Sequence, residues 1–135
     1  MKLLIKNALI LTVNQNNEVL ENANIAVENG HLLALGKVTK NFLPDKVIDA
    51  TDQIALPGLI NAHTHIPMSL FRNYADDLPF WPWLLEKIKH VEDHLSAEHV
   101  YWGAKLGVLE LIQSGVTCFS DMYFYMNEVA TVVKE

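Results

Sequence analysis

The sequence contains very little cysteine and no long apolar run. Cys118 is the single cysteine, so no disulfide bond can form within the chain, and a reducing compartment is the simplest location. No uninterrupted apolar stretch approaches the ~18 residues of a transmembrane helix. The apolar start of the chain is interrupted by Lys6 and Asn7, and no small-residue cleavage site of a signal peptide follows. We therefore expect a cytoplasmic protein without a membrane partner.

Positive charge is also scarce. The chain has 10 lysine and arginine residues against 16 aspartate and glutamate residues, which gives a formal net charge of −6. The basic residues are scattered singly, and this distribution argues against binding to nucleic acid or to an anionic membrane surface. Half of the residues are hydrophobic and 19% are charged, a composition typical of a globular protein rather than a disordered one.

The first 50 residues have the pattern of β-structure. The segment KLLIKNALILTV is rich in apolar and β-branched residues, and KVIDAT predicts a further short strand. Two apolar runs flank Asn29-Gly30, a dipeptide that readily supplies the positive φ angles of a type I′ turn. The sequence therefore predicts a β-hairpin centred on these two residues.

After Pro57-Gly58, strands alternate with helices. IALPGLINAHTH predicts a buried strand that ends at two histidines, and VTCFSDMYF predicts a second strand. Three prolines favour a long loop over residues 66–82 between them. Strands that alternate with helices indicate an α/β protein with a parallel sheet.

Three helices are predicted in this second part. The first covers residues 83–94, and the last begins in NEVATVVKE. Ser96 is expected to cap the middle helix, and Gly115 sits where a C-terminal cap belongs. The middle helix carries an apolar stripe with helical spacing, formed by Tyr101, Ala104, Val108, Leu111 and Ile112.

His63 and His65 are the residues that most clearly suggest chemistry. In a strand, residues i and i+2 point to the same side, so the two imidazoles project together. Neutral imidazole is a common ligand of zinc and other transition metals, and a catalytic metal needs about three protein ligands and one open position. The alternative is that they are two unrelated polar residues at a strand end, because a His-x-His pair alone is a weak signal.

The surrounding sequence resembles a known family. VIDATDQIALPGLINAHTH is similar to the amidohydrolase superfamily, in which a small β-sandwich leads into a metal-dependent (β/α)8 barrel. HTHIPMSLFRNYADDLPFWPWLLEKIKHVEDHLS and VYWGAKLGVLELIQSGVTCFSDMYF resemble the branch that holds 5-methylthioadenosine/S-adenosylhomocysteine deaminases and triazine chlorohydrolases. The resemblance implies an α/β fold, with the N-terminal part of the sandwich over residues 1–54 and the first strands and helices of an incomplete barrel over residues 55–135.

The resemblance also implies a site. His63 and His65 become two ligands of one divalent transition metal, with zinc expected, and the substrate is a small molecule. A further histidine pair, an aspartate and a proton-shuttling glutamate belong to later strands, so no catalytic residue is assigned within the chain. Glu92 corresponds to the glutamate that binds the ribose hydroxyls in the adenosine deaminases of the branch. Without the resemblance, Glu92 would be interpreted as a solvated helix residue.

Length limits what the chain can do alone. A (β/α)8 barrel takes about 250 residues and at least about 200, whereas this chain has 135. Together with this length, the resemblance implies an N-terminal fragment of a longer hydrolase that deaminates adenine nucleosides such as S-adenosylhomocysteine or 5-methylthioadenosine, with the fragment inactive alone. Dechlorination or deamination of triazines or other heterocycles is the alternative, and a homo-oligomer is left open. From another class, the chain could be a non-catalytic metal-binding or assembly module.

Several other residues are candidates for a functional site. His90 and His94 have zincin-like spacing, but a zincin has its glutamate second in the motif and the inverted motif has it fourth, whereas Glu92 is third in HVEDH. A protease site is therefore excluded, and these two histidines, with His31 and His99, are interpreted as ordinary residues. Trp81 and Trp83 suit a purine pocket and loop packing equally, so they are left unassigned. Asp121 is assigned a structural role, and Cys118 is expected to be a small buried hydrophobic residue.

Overall fold

The computed structural model describes all 135 residues and divides into two compact units, Met1–Pro57 and Gly58–Glu135. These units are defined by contacts within the chain, and the assignment of residues 1–54 and 55–135 to two domains stays a prediction. None of the helices has the length and apolar character needed to cross a membrane.

The first unit is a five-stranded sheet. Its strands are β1 (Lys2–Leu11), β2 (Val19–Glu28), β3 (His31–Gly36), β4 (Lys46–Asp49) and β5 (Ile54–Ala55). β1 pairs antiparallel with β2, which pairs antiparallel with β3, whereas β4 and β5 run parallel to β1. The small core of this unit is formed by Ala8, Ile10, Ala23 and Ala50.

The predicted hairpin lies between β2 and β3. Asn29 and Gly30 have φ angles of 51° and 81°, the left-handed values that a type I′ turn requires. Glu28 pairs with His31 across the turn, so only these two residues form the loop. This prediction is confirmed.

The second unit contains a two-stranded parallel sheet and the helices between and after its strands. β6 (Leu59–Thr64) pairs with β7 (Val116–Asp121), and a 3-10 helix (Ile66–Phe71) follows β6 at once. Next come α1 (Phe80–Pro82), a π-helix (Trp83–Ile88) and α2 (Lys89–Glu92), which are continuous. Then α3 (Ala97–Gln113) leads back to β7, and α4 (Met126–Lys134) closes the chain.

The predicted loop over residues 66–82 is only partly correct. Residues 66–71 form the 3-10 helix instead of a loop. Pro67 is compatible with this helix because it lies in the first turn, where no backbone N–H is needed as a donor. The next helical stretch begins at Phe80, three residues before the predicted start, and Pro82 is tolerated there for the same reason.

The predictions for α3 are largely confirmed. The Ser96 side chain accepts a hydrogen bond from the backbone N–H of His99, and Nδ1 of His99 accepts one from the Ser96 backbone, which is a capping box. Gly115 has a φ of 81°, as a residue beyond a helix C-terminus often has. Four residues of the predicted stripe pack in the core, but Ile112 is 65% exposed, so its assignment to the stripe is wrong.

Two burial predictions are wrong for the chain as it stands. The sequence predicts that β6 and Cys118 are buried, yet Ile60 on β6 is 71% exposed, and Cys118 on β7 is exposed as well. The physical reason is that β6 pairs with β7 alone, and the apolar side chains of a parallel strand become buried only when both sheet faces are covered.

The 3-10 helix packs unusually closely against α3. A Cβ atom added to Gly103 would lie 2.5 Å from the carbonyl oxygen of Pro67, and one added to Gly107 would contact the side chain of Ile66. In addition, the Ser69 hydroxyl donates a hydrogen bond of 2.7 Å to the Gly103 carbonyl oxygen. The two glycines therefore set how near the segment directly after His65 can approach the helix.

Replacing Gly103 by alanine is expected to destabilise the protein, although alanine is the better helix former by about 1 kcal/mol. The added methyl group overpacks against Pro67, and overpacking costs about 1–3 kcal/mol. Urea unfolding of Gly103→Ala and of the control Gln113→Ala, at an exposed position of the same helix, measures the difference. The control should stay within about 0.5 kcal/mol of wild type, and a more stable Gly103→Ala would contradict the close packing.

Candidate metal and substrate site

The histidine pair lies at the carboxyl end of β6. His63 is in the strand and His65 follows it, and the two-residue spacing points both side chains to one side, as predicted. Their Nε2 atoms are 3.4 Å apart, and their rings meet edge to face with centroids 5.1 Å apart. The two imidazoles therefore present two ring nitrogens to the same point.

The orientation of His65 is fixed by a backbone contact. Its Nδ1 atom lies 2.7 Å from the carbonyl oxygen of Met122, the residue that follows β7. A carbonyl oxygen can only accept, so Nδ1–H is the donor, and the Nε2 lone pair points towards His63. Metal-binding histidines commonly donate their other ring N–H to a backbone carbonyl in this way.

The Nε2 atoms of His63 and His65 fit part of a metal site. Two nitrogen ligands at about 2.0–2.1 Å from a tetrahedral zinc ion lie about 3.3–3.4 Å from each other, and the His63 and His65 Nε2 atoms are 3.4 Å apart. A weak hydrogen bond between two neutral imidazoles would also fit this distance, although 3.4 Å is long for a hydrogen bond. No group of three or more His, Cys, Asp or Glu side chains is placed to hold a metal ion, so the pair is at most part of a ligand set.

Asp121 supports the turn that follows His65. Its Oδ2 atom accepts a hydrogen bond of 3.2 Å from the backbone N–H of Ile66, and its side chain is 1% exposed. The other oxygen, Oδ1, has no hydrogen-bond partner within the chain and lies 4.0 Å from Nδ1 of His65. The sequence predicts a structural role for Asp121, and these contacts place its buried carboxyl group beside the His65 imidazole.

A largely apolar cavity of about 520 Å³ lies beside His65. His65 and Glu92 are its only ionisable groups apart from a tyrosine, and aromatic rings form much of its wall. Trp83 lines this cavity, whereas Trp81 does not and is 65% exposed. The remaining lining residues are Met68, Phe80, Leu84, Met122, Tyr123 and Phe124.

Glu92 lies at the end of α2 and is held by a residue that sequence reasoning missed. The Tyr123 hydroxyl donates a hydrogen bond of 2.7 Å to Oε1 of Glu92. Burial, followed by the Glu92 carboxylate and then by Asp121, raises the pKa of Tyr123 well above its usual range, so the hydroxyl stays protonated. The sequence feature that could have identified Tyr123 is its position two residues after Asp121, at the strand end where barrel active sites lie.

The other histidines do not contribute to this site. His31, His90, His94 and His99 are exposed, and none lines the cavity. Nδ1 of His94 contacts the carbonyl oxygen of His90 at 2.9 Å, which is a contact within one helical turn.

Comparison with known proteins decides the family. The model of the amidohydrolase family matches residues 54–135, which include β6, the histidine pair, Glu92 and β7. The chain belongs to the amidohydrolase family. This amidohydrolase chain is 50% identical over 135 residues to the 5-methylthioadenosine/S-adenosylhomocysteine deaminase of Thermoanaerobacter pseudethanolicus, and 47% identical to that of Caldanaerobacter subterraneus. In both alignments 100% of this chain is covered, and the chain spans 31% of the length of each relative.

Solved amidohydrolase structures share the fold. An adenosine deaminase from Xanthomonas campestris with bound zinc aligns with a TM-score of 0.90 and 36% identity, over 98% of this chain and 31% of that one. Atrazine chlorohydrolase from Arthrobacter aurescens, complexed with zinc, aligns with a TM-score of 0.85 over 98% of this chain and 33% of that one. Its identity of 22% shows likeness of fold alone. The predicted α/β fold, the start of an amidohydrolase barrel after a β-rich segment, is confirmed.

Proposed function

We propose that this chain is the N-terminal part of a metal-dependent hydrolase that deaminates adenine nucleosides such as S-adenosylhomocysteine or 5-methylthioadenosine. The observation that carries the proposal is that His65 and Glu92 line one aromatic cavity. A candidate metal ligand and a free carboxylate oxygen therefore border the same space. The names of relatives at 47–50% identity support the same substrate class.

His63 and His65 would hold the metal, and zinc is the ion bound in the Xanthomonas campestris deaminase. When bound, such an ion acts as a Lewis acid and activates water for attack on an electron-poor ring carbon. The chain itself contributes orientation: Met122 holds the His65 ring by its carbonyl oxygen. Proton transfer in the reaction is assigned to residues outside these 135, so the chain alone should be inactive.

Glu92 would hold the sugar of the substrate. Its Oε1 atom is occupied by Tyr123, whereas Oε2 forms no hydrogen bond within the chain and is free to accept one from a ribose hydroxyl. A carboxylate accepts such bonds strongly because it is charged. The aromatic rings that border the cavity suit the flat face of a purine.

A triazine or another chlorinated heterocycle is the second candidate, because the aromatic wall would accept any flat ring. The carboxylate in the cavity favours the nucleoside, since a chlorotriazine offers no vicinal hydroxyls to it.

The full-length protein, supplied with zinc, is expected to release ammonia from S-adenosylhomocysteine, 5-methylthioadenosine or adenosine at an ordinary enzyme rate of about 1–1,000 per second. It should release little chloride from atrazine under the same conditions. Chloride release without nucleoside turnover would favour the hypothesis that the substrate is a triazine. No turnover of either class, with zinc bound, would favour a non-catalytic module.

A further inference from the structure

The hydrogen bond between Tyr123 and Glu92 joins two distant parts of the second unit. Tyr123 follows the end of β7, and Glu92 ends α2, 31 residues earlier in the chain. The bond is 2.7 Å long and partly buried, and Oε1 of Glu92 accepts it. A short bond from a neutral hydroxyl to a carboxylate is of the strong, charge-assisted kind.

Tyr123 is also close to the histidine pair. Its ring lies against that of His65, with centroids 6.2 Å apart and planes tilted by 34°. The neighbouring residue, Met122, provides the carbonyl oxygen that holds His65. One short segment after β7 therefore contacts both the candidate metal ligand and the candidate sugar ligand.

The contact matters because a glutamate side chain is long and flexible. Glu92 is only half-buried, and it has no ion-pair partner within the chain. Without a fixed partner, its carboxylate could rotate among several staggered positions, and binding a substrate would then carry the entropic cost of ordering it. A hydrogen-bond donor on a strand end removes that freedom in advance.

We propose that Tyr123 is a positioning residue, whose hydroxyl fixes Oε1 of Glu92 and so leaves Oε2 ordered for the vicinal hydroxyls of the substrate. This inference rests on the proposed function, because it assigns Tyr123 a role in nucleoside binding by way of Glu92. Within the chain, the Tyr123 hydroxyl forms its hydrogen bond to Glu92 rather than to His63 or His65.

Tyr123→Phe in the full-length protein removes the hydroxyl and keeps the ring against His65. KM for adenosine or 5-methylthioadenosine should rise about 5- to 20-fold, because a hydrogen bond to a charged group is lost, while kcat should change less than about 3-fold. Tyr125→Phe is the matched control, since the Tyr125 hydroxyl donates to the Leu95 carbonyl oxygen at 3.3 Å rather than to Glu92. The control should leave KM within about 2-fold of wild type.

A double-mutant cycle separates positioning from a general structural role. In a Glu92→Ala background, Tyr123→Phe should change KM less than about 2-fold, because its only proposed target is gone. For 2′,3′-dideoxy substrates the effect of Tyr123→Phe should vanish in the wild-type background as well. An equal loss with dideoxy substrates, or an equal loss with and without Glu92, would overturn the proposal.

Unfolding in urea supplies a readout that does not depend on turnover. The effects of Tyr123→Phe and Glu92→Ala on the urea midpoint should be non-additive if the two side chains are bonded in solution. Additive midpoints would show that the bond is absent and would overturn the proposal. If nucleosides are turned over but Tyr123→Phe leaves KM unchanged, only this inference fails. If no nucleoside is turned over by the wild type, the proposed function fails first.

Discussion

Replacing His63 and His65 together by alanine is expected to remove the metal and to lower nucleoside turnover by roughly a thousandfold or more, since a catalytic metal supplies several kcal/mol. Elemental analysis of the full-length protein should fall from about one metal ion per chain to nearly none. The reason is geometric, because the two Nε2 atoms are 3.4 Å apart, which is the spacing of two ligands on one zinc ion.

The His90→Ala/His94→Ala double variant is the matched control. These two histidines are also adjacent, with ring centroids 5.3 Å apart, but they are exposed and do not line the cavity. The control should keep its metal. Equal metal content in the wild type and in the His63→Ala/His65→Ala variant would exclude His63 and His65 as metal ligands. Loss of metal from the control alone would instead indicate that His90 and His94 bind it.

Replacing Glu92 by glutamine should reduce kcat/KM for adenine nucleosides by about 10- to 150-fold. Hydrogen bonds from the ribose hydroxyls to a carboxylate are worth about 1.5–3 kcal/mol together, and about 1.4 kcal/mol corresponds to a factor of ten. Glutamine keeps the shape of glutamate, and its carbonyl oxygen can still accept a hydrogen bond from the Tyr123 hydroxyl. The reduction in kcat/KM therefore measures the contribution of the negative charge. Metal content should not change, because Glu92 lies on α2 rather than on the histidine strand.

Substrates without the partner hydroxyls test the same point independently. For 2′,3′-dideoxy nucleosides, Glu92→Gln should have little effect, because the bonds that it weakens cannot form. The measurement is a cycle of two enzymes, each assayed with a hydroxylated and a dideoxy nucleoside. A loss of equal size for both substrates would make Glu92 a structural residue.

Local sequence patterns predicted much of the fold because local rules govern them. The Asn29-Gly30 turn follows from the positive φ angles that these residues accept, and the Ser96 cap follows from side-chain hydrogen bonding to the first turn of a helix. The shared direction of His63 and His65 follows from the two-residue period of a strand. Their role as metal ligands and that of Glu92 as a sugar ligand stay predictions.

What the sequence could not predict depends on tertiary contacts. The bond from Tyr123 to Glu92 joins residues 31 positions apart, and no local pattern specifies it. The exposure of Ile60 and Cys118 was missed for a related reason. Apolar residues in a strand indicate what a sheet can bury, whereas their burial requires neighbours that β6 and β7 do not have in this chain.

Anomalous diffraction at the zinc absorption edge, from crystals of the full-length protein with a bound nucleoside, would locate the metal and the ribose in one experiment. We expect one peak about 2.0–2.1 Å from Nε2 of both His63 and His65. We also expect a ribose hydroxyl about 2.6–3.2 Å from the Glu92 carboxylate. A peak away from the two histidines would exclude them as the metal ligands, and a nucleoside bound with its ribose away from Glu92 would exclude the sugar-binding role of Glu92.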